Sequence, residues 1–231
     1  MVAKVTSEPV TAKDRALDYV KTRLLTGAFA GGQLISEGEV ANALGVSRTP
    51  VREAFLRLEA DGLLRLYPKR GALVVPVSAE EIREVMEARL VIEEFAAVTV
   101  IRAFAGQRVA VYDRLSEELH RQRDARAAAN LQAFLESDRA FHSITVDSAG
   151  NTILSNFYTS LKDRQIRMIR ESTIRDPQRT ERILEEHRGI AEAIRDGDVE
   201  QTMLAVRAHN ASTLRALGIT VDSVMVTGDG T

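Results

Sequence analysis

At 231 residues, 45% hydrophobic and 28% charged, the chain has the composition of a soluble protein with one large domain or two smaller ones. It has no cysteine, which excludes a disulfide framework and thiolate metal sites. No apolar run reaches the roughly 18 residues of a membrane span, and MVAKVTSEPVTAKD lacks a signal-peptide core, so a cytoplasmic protein without a membrane partner is expected. The net charge of −2 conceals an asymmetry, about +3 over residues 1–77 and about −5 over the rest, as in a nucleic-acid-binding module joined to a domain with another task.

Residues 1–11 are expected to be a frayed arm. From Ala12 to Gly27, Ala16, Val20, Leu24 and Leu25 mark an amphipathic helix. GAFAGGQLI is a glycine-rich connection into SEGEVANALGVSRTPVREAFLRLEADG, which reads as two short helices joined by a tight turn. Ser36 and Glu39 have capping-box spacing, Val40 and Leu44 share a face, and Gly45 suits a left-handed exit. Ser47 is placed to cap the second helix, with Pro50 in its first turn. Val51, Phe55, Leu58 and Leu63 face inward. Arg48, Thr49, Arg52 and Arg57 remain outside, a set suited to a DNA major groove, where arginine binds guanine in bidentate fashion. Leu63–Tyr67 and Ala72–Val75 flank PKRG as a β-hairpin with Lys69 and Arg70 at its tip.

The run LGVSRTPVREAFLRLEADGLL, followed by YPKRGALVV, resembles the winged helix-turn-helix of GntR-type bacterial transcription regulators over about residues 12–77. The resemblance implies that Ser47, Arg48, Thr49, Arg52 and Arg57 meet an operator in double-stranded DNA, and that the wing Lys69–Arg70–Gly71 grips the flanking groove. It also implies a homodimer reading two half-sites.

The first domain closes at 77, and Ser78 with Glu81 opens a new helix. Helical segments follow at about 79–104, 107–127, 130–148, 151–171, 177–196 and 199–217, separated by turn chemistry. The second domain, 78–217, is therefore expected to be an all-α bundle, and 218–231 a flexible tail. The fold class is mainly α: a winged helix-turn-helix with a small β-hairpin wing, then a helical bundle.

Several polar residues fall inside apolar stripes. Asp138 lies four after Phe134 and His142 seven after Leu135; the two are also i,i+4 to each other, a spacing that allows one shared metal. His187 sits among Ile183, Leu184, Ile190 and Ile194, and His209 at the edge of the last stripe. His120 lies on a polar face and is set aside. Each of these histidines alone reads as a hydrogen-bonded core residue, but burying all four groups is costly, and a divalent cation would relieve that at every position together. Three imidazoles and a carboxylate suit zinc best, with nickel, manganese or iron compatible. Arg89 and Glu93 lie on the inward stripe of the domain's first helix. Two readings fit equally: a clamp for a carboxylate ligand, or a buried ion pair one turn apart.

ARLVIE, DRAFH, SAGNTIL, EEHRGIAEAIRDGD and RAHN resemble the FCD effector domain of the FadR-type branch of these regulators, over about residues 79–217. In its metal-binding members an Asp and three His hold the metal and small organic acids bind beside it. The resemblance thus implies Asp138, His142, His187 and His209 as ligands, and Arg89, Glu93 and Asn151 near a small carboxylate effector. The function expected is a ligand-responsive transcription regulator, a repressor rather than an activator, and not an enzyme. Two other classes compete: a metal-dependent enzyme acting on a small carboxylate, against which the chain offers no HExxH-type base, and a DNA-binding protein whose metal is purely structural.

Overall fold

The computed structural model describes residues 11–176 and 178–220. They form two compact units that divide between Pro76 and Val77.

The first unit runs α1 (Ala12–Leu25), β1 (Leu34–Ile35), α2 (Glu37–Leu44), α3 (Arg48–Ala60), β2 (Leu64–Tyr67) and β3 (Gly71–Val74). Of the expected N-terminal arm only Thr11 is described, and it caps α1 in a reciprocal box with Asp14. The predicted box of Ser36 and Glu39 starts α2 in the same way, and Gly45, at φ 64°, ends it. Ser47 occupies the N-cap position of α3 with extended backbone, but its side chain makes no capping bond, so the expected cap is one of position only. Val51, Ala54, Phe55 and Leu58 of α3 are buried against Ala16, Val20 and Leu24 of α1 and the inward residues of the sheet. Complete burial of a side chain such as Phe55 contributes about 1.5–3 kcal/mol, which is what holds α3 in place.

The sheet has three antiparallel strands, ordered β1-β3-β2, where the sequence suggested a hairpin alone. The extra strand is two residues long and lies in the glycine-rich connection, too short to leave a periodic signal. Its seat depends on Gly71: a Cβ there would stand 2.3 Å from the Ile35 carbonyl oxygen, and its φ is 97°. The hairpin turns at Tyr67–Arg70, closed by the Arg70 amide donating to the Tyr67 carbonyl at 3.0 Å, with Lys69 in left-handed backbone at φ 62°.

The second unit is all-α: α4 (Ala79–Arg102), α5 (Ala105–Ala127), α6 (Leu131–Ser148), α7 (Thr152–Ser160), α8 (Lys162–Arg175), α9 (Arg179–Asp196) and α10 (Val199–Ala216). Ser78, Asn130, Asn151 and Asp198 cap α4, α6, α7 and α10 through their side chains. The single helix expected at 151–171 is in fact two, and the second continues to Arg175. At the join the Leu161 amide donates to Tyr158, and the Ser160 hydroxyl occupies the Phe157 carbonyl, a side-chain bond that competes with the helical ladder. Phe134, Leu135 and Phe141 of α6, Ile183, Ile190 and Ile194 of α9 and Val206 of α10 are buried, and the polar cluster lies among them. Of the tail expected at 218–231, Ile219 is buried beside Leu214 and Leu217, so this part is packed; 221–231 lie outside the described residues.

Candidate metal centre and nucleic-acid interface

In the first unit, Ser47, Arg48, Thr49, Arg52 and Arg57 are all exposed along α3. Arg48 and Arg52 line one groove together with Lys69, Arg70 and Gly71 of the wing and Ser36–Gly38 at the start of α2. Four cationic side chains thus border a concave surface that can take a phosphate backbone while the start of α3 meets base edges. Arg48 lies over Gly38, where a Cβ would come within 3.4 Å of its guanidinium. Ser47, Thr49 and Arg57 do not line this groove. Arg57 is instead 3.4 Å from Asp61, an exposed i,i+4 pair worth at most about 1 kcal/mol. Gly71 is explained by its backbone alone, since its conformation and the approach of Ile35 both require glycine.

In the second unit, His142 of α6, His187 of α9 and His209 of α10 are brought together, with one donor atom from each lying within 4.8 Å of the others. All are buried, as is Asp138 one turn before His142. Phe141 stacks on His187, centroids 4.1 Å apart and planes 5° from parallel, which fixes that ring. His120 is exposed on α5 and bonded to the Ser116 carbonyl, apart from the cluster.

Each ring has its Nδ1 engaged by a different acceptor. Glu93 Oε2 is 3.3 Å from His142 Nδ1, Gln122 Oε1 is 2.9 Å from His187 Nδ1, and Glu186 Oε2 is 2.8 Å from His209 Nδ1. Acceptors at all three Nδ1 positions place the protons there and leave three Nε2 lone pairs. His142 Nε2 and His187 Nε2 then face each other at 3.2 Å with no proton between them. His209 Nε2 and both carboxylate oxygens of Asp138 are buried without a hydrogen-bond partner, one Asp138 oxygen lying 3.7 Å from His187 Nε2. Lone pairs converging on one point, with an unpaired carboxylate beside them, form a donor set for a divalent cation. Ligands on a zinc ion at ~2 Å stand roughly 3.3 Å apart, the spacing the His142–His187 pair already has.

The titration behaviour follows from burial. It lowers all three imidazoles, only partly offset by Glu93 at His142 and by Glu186 at His209, while neighbouring histidines lower His187 further. Burial likewise raises the Asp138 carboxyl to about 6, against the pull of His209, Arg89 and Arg179. Burial would also raise Glu93 and Glu186, but here the partners win. Arg89 and His142 hold Glu93 well below the carboxylate range, and His209 and Arg179 bring Glu186 to about 2. Neutral imidazoles held by ionised carboxylates are the protonation states a metal requires.

Arg89 forms the buried ion pair, Nε to Glu93 Oε1 at 2.9 Å, and Glu93 also accepts from the Tyr158 hydroxyl at 2.5 Å. Arg89 is thus committed inside the protein and does not stand open as a clamp. Asn151 is exposed, and its Oδ1 accepts from the Ile153 and Leu154 amides; it caps α7 and does not border the cavity beside His142. That cavity lies among Glu93, Ala97, Phe141, Thr145 and Ile190, with about the room of one water.

Sequence reasoning missed Gln122, Glu186, Tyr158 and Arg179. Gln122 falls on the face of Leu115 and Leu119, and Arg179 lies eight before His187 on the stripe of Ile183, so helical period marked both as inward. Glu186 and Tyr158 carried no such mark.

Residues 12–74 match the family described as bacterial regulatory proteins, gntR family, and residues 84–212 match the FCD domain. The HTH-type transcriptional regulator YdhC of Bacillus subtilis (strain 168) is 28% identical over 192 residues, covering 83% of this chain and 84% of that protein. The HTH-type transcriptional repressor RspR of Escherichia coli (strain K12) is 32% identical over 178 residues, 76% of each. Among solved structures, a GntR transcriptional regulator from Rhodococcus sp. RHA1 superposes with a TM-score of 0.73 at 22% identity, covering 90% of this chain and 99% of that one, a likeness of fold.

Proposed function

The chain belongs to the bacterial gntR family of transcriptional regulators and carries an FCD domain, and from that premise we propose a metal-dependent, effector-controlled repressor that binds its operator as a homodimer. Residues 1–77 are the DNA-binding domain and 78–217 the effector domain. Arg48, Thr49 and Arg52 meet base edges or phosphates, Ser47 and Arg57 the backbone beside them, and Lys69, Arg70 and Gly71 form the wing. The groove shared by Arg48, Arg52, Lys69 and Arg70 supports this. Affinity then rests on phosphate contacts and falls steeply with salt.

Asp138, His142, His187 and His209 hold a divalent cation, zinc by its donor set. One observation carries this reading: three Nδ1 atoms engaged by Glu93, Gln122 and Glu186, with the remaining donors and both Asp138 oxygens turned inward. A bound cation would offer an open position to a small carboxylate. The cavity beside His142 has room for about one water, so a larger effector enters by opening the bundle. A ligand that favours the open arrangement shifts the population only by its differential affinity, which is how binding reaches the DNA-binding domain. Arg89 and Glu93 serve by orienting His142. The repressor assignment draws on the similarity to the repressor RspR. The homodimer would cover exposed apolar side chains on two helices that pack together, Val91 and Phe95 of α4 and Ile153 and Phe157 of α7. The regulator is not an enzyme and acts in the cytoplasm, where its operator is; among the described residues no helix is long and apolar enough to cross a membrane.

The test is a thermal-melting screen of mono-, di- and tricarboxylates with and without prior chelation. A ligand of the folded state raises the midpoint by mass action. A shift that disappears on chelation and returns with zinc is expected. A fall on chelation with no carboxylate response would make the metal structural, and indifference to both would remove the centre. Metal-dependent turnover of a carboxylate would make the protein an enzyme.

A further inference from the structure

Two of the three histidines are held by a carboxylate that is itself held by an arginine. Arg89–Glu93–His142 lies wholly inside the bundle, whereas in Arg179–Glu186–His209 the middle member is 20% exposed. A glutamate at such an edge has water as an alternative partner, and a side chain free to swing outward would release the His209 ring. Arg179, the first residue of α9 and 1% exposed, prevents this. Its Nη1 donates to both Glu186 oxygens at 3.2 and 3.3 Å and to Ser212 Oγ at 2.7 Å, and its Nη2 donates to Thr213 Oγ1 at 2.7 Å. Ser212 and Thr213 stand three and four residues beyond His209, on the next turn of α10, and Thr213 Oγ1 also donates to the His209 carbonyl. One planar guanidinium therefore grips both the carboxylate that orients the ring and the turn that carries it.

We propose that Arg179 is a positioning residue of the metal centre: by clamping Glu186 and the turn after His209, it fixes the rotation of the His209 ring and the aim of its Nε2. This rests on the metal reading above. A role confined to joining α9 to α10 would affect stability and leave metal affinity and ligand geometry alone.

The test uses the full chain, with Co2+ as a spectroscopic probe and Zn2+ in competition with a chelator. Wild type should bind both ions. Arg179→Met should weaken binding by about 10–100-fold, the range for losing an outer-shell partner, and alter the visible Co2+ spectrum. Arg179→Lys, which keeps a cation beside Glu186, should recover part of each. Wild type that takes up neither ion overturns the centre and this role with it. Wild type that binds, with Arg179→Met equal in affinity and spectrum, overturns the role of Arg179 alone. If Arg179→Met fails to fold, Ser212→Ala removes one anchor and spares the ion pair. A several-fold loss is then expected, and unchanged affinity and spectrum would refute the proposal.

Discussion

Asp138→Asn should have opposite effects on the metal-free and metal-loaded protein. Burial lifts this carboxyl from 3.8 to about 6 in the metal-free fold, a shift of about two pK units that corresponds to ~3 kcal/mol. Below about pH 4 both folded and unfolded forms are protonated, and the group contributes nothing. Between about pH 4 and 6 the unfolded chain ionises first, so stability falls as pH rises; above about 6 the loss is complete. Asparagine cannot ionise, and its amide has a prospective acceptor in His187 Nε2, which lies 3.7 Å from Asp138 Oδ1. Chelated Asp138→Asn should therefore be more stable than chelated wild type at pH 7.5 by up to ~3 kcal/mol. That is roughly 6–12 °C in the melting midpoint of a unit this size. The difference should vanish near pH 4; reading it between variants removes the histidine titrations common to both. With zinc restored the order should reverse. Wild type gains about 4 kcal/mol at a thousandfold excess over its Kd, while the variant has lost its one anionic ligand. Calorimetry at pH 4, 5.5 and 7.5, each with chelator and with zinc, reads every arm. A chelated variant no more stable than wild type at pH 7.5 would refute the view of Asp138 as an unpaired buried carboxylate.

Arg52→Ala should remove specific operator binding, with ~1–3 kcal/mol lost for a bidentate base contact, and leave the circular dichroism unchanged; gel-shift titration against specific and random DNA decides it. Gly71→Ala would drive a Cβ against the Ile35 carbonyl in left-handed backbone, so a loss of roughly 1–3 kcal/mol and faster amide exchange in β1 and β3 are expected. Normal exchange protection there would count against that account of the wing. Phe95→Glu places a charge on the exposed apolar face of α4 and should convert the dimer to monomers in light scattering, without lowering the melting midpoint of the chelated chain. A dimer that persists would move the interface elsewhere.

Much of the fold was legible because it rests on local chemistry. Ser36, Glu39 and Gly45 each answer a backbone need at a helix end, and the helical period alone put Asp138, His142 and His187 on buried faces. β1 escaped because two residues carry no period, and its seat depends on Gly71, thirty-six positions beyond Ile35. The break at Leu161 escaped because no glycine or proline marks it; a serine hydroxyl and a buried tyrosine do the interrupting. At the site, a residue's face was readable but its partner was not. Asn151 stands in a motif beside a helix start and is used there as a cap, and Arg89 faces inward as expected but is spent on Glu93. The outer partners Gln122 and Glu186 meet their histidines across helix interfaces, which depend on packing that no single stripe encodes.

The unequal chemistry of those three partners limits what else the interior can accept. Glu93 is neutralised by Arg89 and Glu186 by Arg179, while Gln122 has no charge to neutralise. With neutral imidazoles, Asp138 is left as the single unbalanced charge among the groups of the cluster. A divalent cation overshoots it by one, and a guest carrying one negative charge returns the whole to zero. By valence alone, then, the loaded bundle is matched to a monoanion, and a dianion would have to leave its second charge in solvent or bring a proton with it.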